Sequence, residues 1–211
     1  MEQLCSRIAR LDAQYLVVMD ESDVGNYSEK KLSIDKDTWR RYFTILREMR
    51  LWTKEQWNVE TLYHPHIKSL IETEEEIINM INFCDMRLCF DTGHHAYVNG
   101  GEAVYGDISV VGFIKKYPER IAYLHFKNVD AVIRKKVRDE NLTSDAAFDL
   151  DVMCDLDAGI IDFQKLKTLL DEINYQGIGV IEMDMPRADA DHAYAAAERN
   201  LRYLRTIGMV P

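Results

Sequence analysis

Of the six histidines in this 211-residue chain, five fall where short apolar runs end. Trp57–Tyr63 runs into His64-Pro65-His66, and Met86–Phe90 into Asp91-Thr92-Gly93-His94-His95. Ile121–Leu124 runs into His125-Phe126-Lys127, and Ile178–Ile181 into Glu182-Met183-Asp184. Only His192 lies elsewhere. Any one of these residues has an ordinary structural explanation; Asp91 before Thr-Gly, for example, suits an Asx turn. Glu182 is harder to explain away, because a carboxylate in an apolar strand is costly to bury unless it is paired or metal-bound. Taken together, His64, Asp91, His125 and Glu182 form a mixed nitrogen and oxygen set. Such a set suits Mn²⁺, Co²⁺, Fe²⁺ or Zn²⁺, and suits Ca²⁺ less.

The elements that would position these residues alternate along the chain. Residues 2–11 read as a helix, followed by the run Gln14–Met19. Residues 36–54 carry Trp39, Phe43 and Leu46 at helical spacing, with Asp35 or Asp37 as N-cap. Trp57–Tyr63 is a predicted strand, and Thr73 with Glu76 forms a capping box that opens the next helix. Met86–Phe90 and Ile121–Phe126 are predicted strands with a helix over 107–117 between them. After an irregular segment, 128–160, come a helix at 162–173, a strand at Gly177–Met183 and a helix at 189–206. Five strands alternating with helices predict parallel βαβ units and an α/β class. The strand runs are apolar on both faces, as in a sheet covered by helices. Either an open doubly wound sheet or part of a (β/α)8 barrel fits. In both layouts ligands bind at the carboxyl ends of strands, where the four residues stand.

Composition narrows the function. Lys and Arg number 26 against 36 Asp and Glu, a net charge of −10 that opposes binding to nucleic acid. An apolar fraction of 47% with 29% charged residues is that of a soluble globular chain, and the length suits a single domain over 1–211. No run approaches the roughly 20 apolar residues of a membrane span; the longest are short, such as Tyr15-Leu-Val-Val-Met19. No basic-then-apolar leader opens the chain, so a cytoplasmic location away from membranes is expected. Cys5, Cys84, Cys89 and Cys154 lack metal or redox spacing and read as free, half-buried thiols. Asn26-Tyr-Ser28 and Asn141-Leu-Thr143 read as incidental glycosylation triplets. Dinucleotide, P-loop and serine-hydrolase motifs are absent.

The stretch 57–186 resembles the xylose-isomerase-like superfamily of TIM barrels, and within it the inosose dehydratases and related sugar isomerases and epimerases. The carriers are His64-Pro65-His66, Glu72-Thr-Glu-Glu-Glu76 and Leu88-Cys-Phe-Asp91-Thr-Gly-His94, then Arg120-Ile-Ala-Tyr-Leu-His125-Phe-Lys127, Ile161-Asp162-Phe163 and Val180-Ile-Glu182. The resemblance implies Asp91, His125 and Glu182 as metal ligands, with His64 in the fifth-strand ligand position. It places His94, Lys127 and His66 toward the substrate. It further implies that the chain holds the C-terminal five of eight barrel strands, without the three N-terminal βα units. Three positions depart from the family pattern: His66-Ile-Lys-Ser69, Asn128 after Lys127, and Ala158 in Asp157-Ala-Gly159.

The implied chemistry is metal-dependent. A divalent ion on His64, Asp91, His125 and Glu182 would bind adjacent oxygens of a keto sugar or cyclitol and acidify the α C–H. Glu182, with a raised pKa, would take that proton, while Lys127 or His94 would stabilise the enolate or protonate a leaving hydroxyl. Isomerisation, epimerisation or inosose-type dehydration would follow. The rival reading is a degenerate barrel that binds a ligand or a partner without turnover. A nuclease of the same superfamily is disfavoured by the charge and by too few ligands for three metals. Five strands of a barrel leave two open edges, so a homo-oligomer, or a partner supplying missing strands, is expected.

Overall fold

The computed structural model describes residues 1–20, 34–102 and 105–210; the triplet at Asn26 lies outside them. The first half runs α1 (Glu2–Arg10), β1 (Tyr15–Val18), α2 (Lys36–Trp57), β2 (Glu60–Tyr63), α3 (Glu74–Cys84), β3 (Arg87–Asp91) and α4 (Thr92–Asn99). It continues with α5 (Ser109–Lys116), β4 (Ile121–Phe126), β5 (Asn128–Val129), α6 (Ala131–Asp139), α7 (Ser144–Asp149) and β6 (Met153–Cys154). The chain ends with α8 (Phe163–Glu172), β7 (Ile178–Ile181) and α9 (Ala190–Thr206). No helix among the described residues is long and apolar enough to cross a membrane.

Five strands form one parallel sheet in the order β1-β2-β3-β4-β7. That order follows the sequence without reversal, so no switch point exists and the doubly wound layout is excluded. The result is a curled half-barrel. Its outer face is the core: Tyr63, Leu88, Phe90, Leu124 and Phe126 pack against Ile77 and Met80 of α3, Ile114 of α5 and Leu166 of α8. Leu62 and Cys89 point the other way, with Tyr15 and Tyr123 beside them. Toward the sheet's edges this inner face is open: Val17 is 38% exposed and Val180 37%.

Several boundaries reflect local chemistry. Asp35 caps α2, accepting from the backbone of Asp37 and Thr38. The Thr73–Glu76 capping box forms with both of its bonds. Helix α2 continues to Trp57 and stops at Asn58 in the left-handed region, so the strand begins at Glu60, later than its apolar run suggests. The segment 128–160 is not irregular. It holds α6, α7 and the antiparallel pair β5–β6, concealed by short length and, in α6, by the charged stretch Arg134-Lys-Lys-Val-Arg138. Strand β7 lacks helix cover on its inner side, contrary to a run read as buried on both faces.

Candidate metal centre

Adjacent parallel strands bring the strand-end residues together. His125 on β4 stands opposite Asp91 on β3, and Glu182 follows β7, which pairs with β4. His64 follows β2. Ligand atoms of His64, Asp91, His125 and Glu182 all lie within 4.8 Å of one another.

Each side chain is oriented from outside the cluster. The His64 ring nitrogen Nδ1 lies 3.1 Å from the Cys89 carbonyl, which can only accept, so Nδ1 carries the hydrogen and Nε2 is left bare. Burial lowers the His64 pKa, which keeps the ring neutral. Asp91 caps α4 by accepting from the His94 backbone N–H through Oδ1 at 2.8 Å. Asp91 therefore acts as a helix N-cap, bonding three residues on, rather than making the Asx turn expected of it, and the cap leaves Oδ2 free to face the cluster. That atom lies 3.0 Å from Lys127 Nζ and 3.6 Å from His125 Nδ1. His125 Nδ1 also meets Glu182 Oε2.

Lys127 is fully buried. Its ammonium donates to Asp184 Oδ2 at 2.7 Å and to His94 Nε2 at 3.0 Å, and lies 3.4 Å from Glu182 Oε2. Burial works against its charge, but Asp91, Asp184 and Glu182 outweigh burial and hold its pKa above the ordinary lysine value. The stem needs Gly93: a Cβ there would come within 2.5 Å of Lys127 Cγ. Thr92 Oγ1 fixes the same region, accepting from Lys127 N–H at 2.9 Å. His94 accepts from Lys127, so its hydrogen sits on Nδ1, and burial holds its pKa well below the usual histidine value. The ring centroid of His66 lies 3.9 Å from that of His94.

The charges and loose ends define what fits here. Asp91, Glu182 and Asp184 face one permanent cation, Lys127, leaving two negative charges. Asp91 Oδ2, His125 Nδ1 and Glu182 Oε2 are buried against one another and against the Lys127 ammonium, and outside the cluster they have no hydrogen-bond partner. Three of the four candidate ligands thus turn a buried atom into one small cluster, where a divalent cation would bind them together and balance the charge. In its absence His125 takes the cationic part. Burial opposes the imidazolium, but contacts to Asp91, Cys89 and Glu182 outweigh it and push the pKa far up.

One expectation is corrected here. Burial raises the Glu182 pKa, but His125 and Lys127 more than cancel it, so the carboxyl titrates below its ordinary value rather than above. The other sequence candidates sort clearly. His95 packs at a tilt against the stacked Phe90 and Phe113 rings in the core, with Nε2 3.2 Å from Glu74, and stays out of the cluster. His192 is exposed on α9. Asn128 is buried and satisfied: its Nδ2 donates to the Leu156 and Ile161 carbonyls, and its Oδ1 accepts from Ile161 N–H. It pins the 156–161 turn, and Ala158 there is exposed. Two site residues were missed, Asp184 and Cys89. Period-two alternation from Glu182 and from Asp91 was the available signal for both. A cleft of about 770 Å³ lies between α2 and α3, lined by Trp39, Phe43 and Phe83, well away from this chemistry.

A profile of the xylose isomerase-like TIM barrel family matches residues 1–207. The chain belongs to that family. Among curated relatives, the inosose dehydratase of Klebsiella pneumoniae subsp. pneumoniae is 32% identical over 150 residues, covering 70% of this chain and 48% of that protein. The inosose dehydratase of Geobacillus kaustophilus is 30% identical over 149 residues, covering 69% of this chain and 46% of that protein. The chain spans about half the length of the curated relatives it matches. The probable 3-DHS dehydratase AsbF of Bacillus anthracis superposes with a TM-score of 0.70 at 14% identity, over 97% of this chain and 69% of that one. The IolI protein, solved with a zinc atom bound, gives 0.69 at 13%, over 98% and 66%. These two solved structures thus share the half-barrel's fold.

Proposed function

We propose that the chain is a divalent-metal-dependent enzyme acting on a keto sugar or cyclitol by proton abstraction α to a carbonyl. The outcome would be isomerisation, epimerisation or inosose-type dehydration. The observation that carries this reading is the convergence of three buried ligand atoms, on Asp91, His125 and Glu182, beside the bare Nε2 of His64. The name of the curated relatives, inosose dehydratase, supports the substrate class. His64, Asp91, His125 and Glu182 would hold Mn²⁺, Co²⁺, Fe²⁺ or Zn²⁺. When bound, such an ion supplies Lewis-acid polarisation of a carbonyl oxygen and neutralises the charge that develops there.

The chain's own groups do the rest. Glu182 is ionised at neutral pH, as its lowered pKa requires, and takes the α proton onto a carboxylate oxygen. Lys127 is held as an ammonium by its three carboxylates, so it donates a hydrogen bond to developing negative charge and does not act as a base. His94 is neutral, with its Nδ1–H buried and unpartnered, and offers that hydrogen to a substrate hydroxyl. His66, tilted against His94, packs against the substrate's carbon frame.

A second reading is favoured by one observation, the open inner face at β1 and β7: the half-barrel binds a ligand or partner without turnover. Metal-dependent exchange of the α proton of 2-keto-inositol or a ketohexose in D₂O separates the two. Exchange that requires added metal and is lost in Glu182→Gln supports the enzyme. Metal binding with no exchange of either substrate supports the binding protein. An element analysis finding no divalent metal, even after addition of Mn²⁺, Co²⁺ or Zn²⁺, removes the enzyme reading and leaves the second standing.

A further inference from the structure

The enzyme reading uses the oxygen-rich side of the cluster and leaves Cys89 without a role. Cys89 precedes Asp91 by two residues on β3, so both project from the inner face, one layer apart. The thiol is fully buried, and its Sγ lies 3.4 Å from His125 Nε2. The Cys89 carbonyl meanwhile holds His64 Nδ1–H, which leaves Nε2 as that ring's free ligand atom. The His64 and His125 ring centroids are 4.9 Å apart. Ligand atoms of His64, Cys89 and His125 lie within 4.8 Å of one another. His125 therefore faces two neighbourhoods, with Nδ1 toward Asp91 and Glu182 and Nε2 toward the thiol.

We propose that His64, Cys89 and His125 form a second coordination set, for a thiophilic divalent ion, which shares both imidazoles with the carboxylate set and excludes it. Two imidazoles and a thiolate are a donor set for Zn²⁺, Cd²⁺ or Co²⁺, whereas Mn²⁺ favours the oxygen-rich set above it. Coordination replaces the thiol proton and the Nε2 proton of the His125 imidazolium, and both leave to solvent as the sulfur–metal and nitrogen–metal bonds form. His125 then ligates through Nε2 while its Nδ1–H donates to Glu182 or Asp91. Those carboxylates become the outer shell that orients the imidazole. Metal class decides which set is filled, and an ion in the thiol set takes His125 away from the substrate-facing rim. The proposal rests on the enzyme reading only in sharing these two histidines.

The test is a cobalt titration of the purified chain followed by absorbance. A thiolate bound to Co²⁺ gives a near-ultraviolet charge-transfer band. The band should appear, saturate near one ion per chain, persist in Glu182→Gln and vanish in Cys89→Ser and Cys89→Ala. No band on adding cobalt overturns the thiol set. So does a band that survives in the Cys89 variants, because the thiolate is then Cys5, Cys84 or Cys154. If the Cys89 variants fail to fold, His64→Ala must lower cobalt affinity and alter the band, and an unchanged titration overturns the proposal. Uptake of Mn²⁺, read from the signal of the free ion by electron paramagnetic resonance, runs in parallel. Mn²⁺ bound by wild type and Cys89→Ala but not by Glu182→Gln supports the carboxylate set. A cobalt band without Mn²⁺ uptake overturns that set and leaves the thiol set standing.

Discussion

The inner face of the sheet has a middle and two margins, built from the same parallel backbone and differing in what closes them. On β2, β3 and β4 it ends in His64, Asp91 and His125, which touch one another and a buried ammonium. On β1 and β7 it shows Val17 and Met19, and Ile178 and Val180, to solvent. The polar middle is closed by its own charges, whereas nothing among the described residues covers the apolar margins. Glu182 bridges the two regions: it belongs to the cluster, yet it hangs from an edge strand with one neighbour. Substitutions should therefore act on chemistry in the middle, on folding at the outer face, and on association at the margins.

The largest effect is expected where the middle meets the margin. Glu182→Gln keeps the shape and removes the charge, so proton exchange should fall by about 10²–10⁴-fold, the usual value of a general base, with more lost through weakened metal binding. Lys127→Met should cost less, because it removes one donor and leaves Glu182 in place. Equal losses in the two variants would erase the distinction between base and clamp. Next comes the outer face. Phe126→Ala removes a ring that packs on Phe163 and fills the space above Gly179, and should cost about 3–5 kcal/mol in urea unfolding. A cost below 1 kcal/mol would mean that the helix layer does not carry the fold.

Gly93→Ala lies between these cases. Its methyl would press on the Lys127 stem from inside α4, and such overpacking costs about 1–3 kcal/mol. Because the stem must move, the ammonium leaves Asp91 and Asp184, so activity should drop beyond what the stability loss explains. Wild-type activity in Gly93→Ala would show that Lys127 tolerates displacement.

The middle should also respond to pH when metal is absent. The folded pKa of His125 is raised, so its contribution to stability is complete below the unfolded value of about 6.5 and is lost as pH rises above it. With chelator present, Tm should fall from pH 6 to pH 9, and His125→Gln should flatten that slope. Divalent ions should reverse the slope, since ligation takes the place of the proton. A Tm that rises over this range without metal would show that His125 is neutral in the cluster.

The four strand ends were legible because helix-covered parallel strands read as apolar runs, and polar residues interrupt such runs only where the backbone emerges. The helix boundaries at Asp35 and Thr73 were legible because caps use specific side chains. The doubly wound and barrel layouts were not distinguishable, because strand order is a long-range property that no local pattern encodes. Helix α4 was hidden because Gly93 reads as a turn residue, whereas its role is to admit the Lys127 stem. Asp184 and Cys89 were hidden for a related reason. Each is ordinary in sequence and acquires meaning only from a side chain on the next strand, Lys127 for one and His125 for the other.

The smallest effect on folding is expected at the margins, where it also says most about them. Ile178 is 49% exposed at the start of β7, opposite Tyr123 of β4. A lysine there buries no charge, and the strand keeps its backbone bonds to β4, so unfolding free energy should stay within about 0.5 kcal/mol of wild type. Association is different. Among the described residues strands β1 and β7 each present an unpaired edge, and their inner side chains extend that edge into an apolar surface, a combination that recruits other chains. Light scattering of the isolated chain should therefore report species larger than a monomer, and Ile178→Lys should shift them toward the monomer as a charge is forced into the contact. The same substitution on the outer face would unfold the protein, which makes the pair of readouts specific to the margin. A wild-type chain that stays monomeric at high concentration would show that exposed edges and side chains of this kind do not suffice for association. The middle of the face would then be self-contained, and Glu182 would need no neighbour beyond β4 to hold its place.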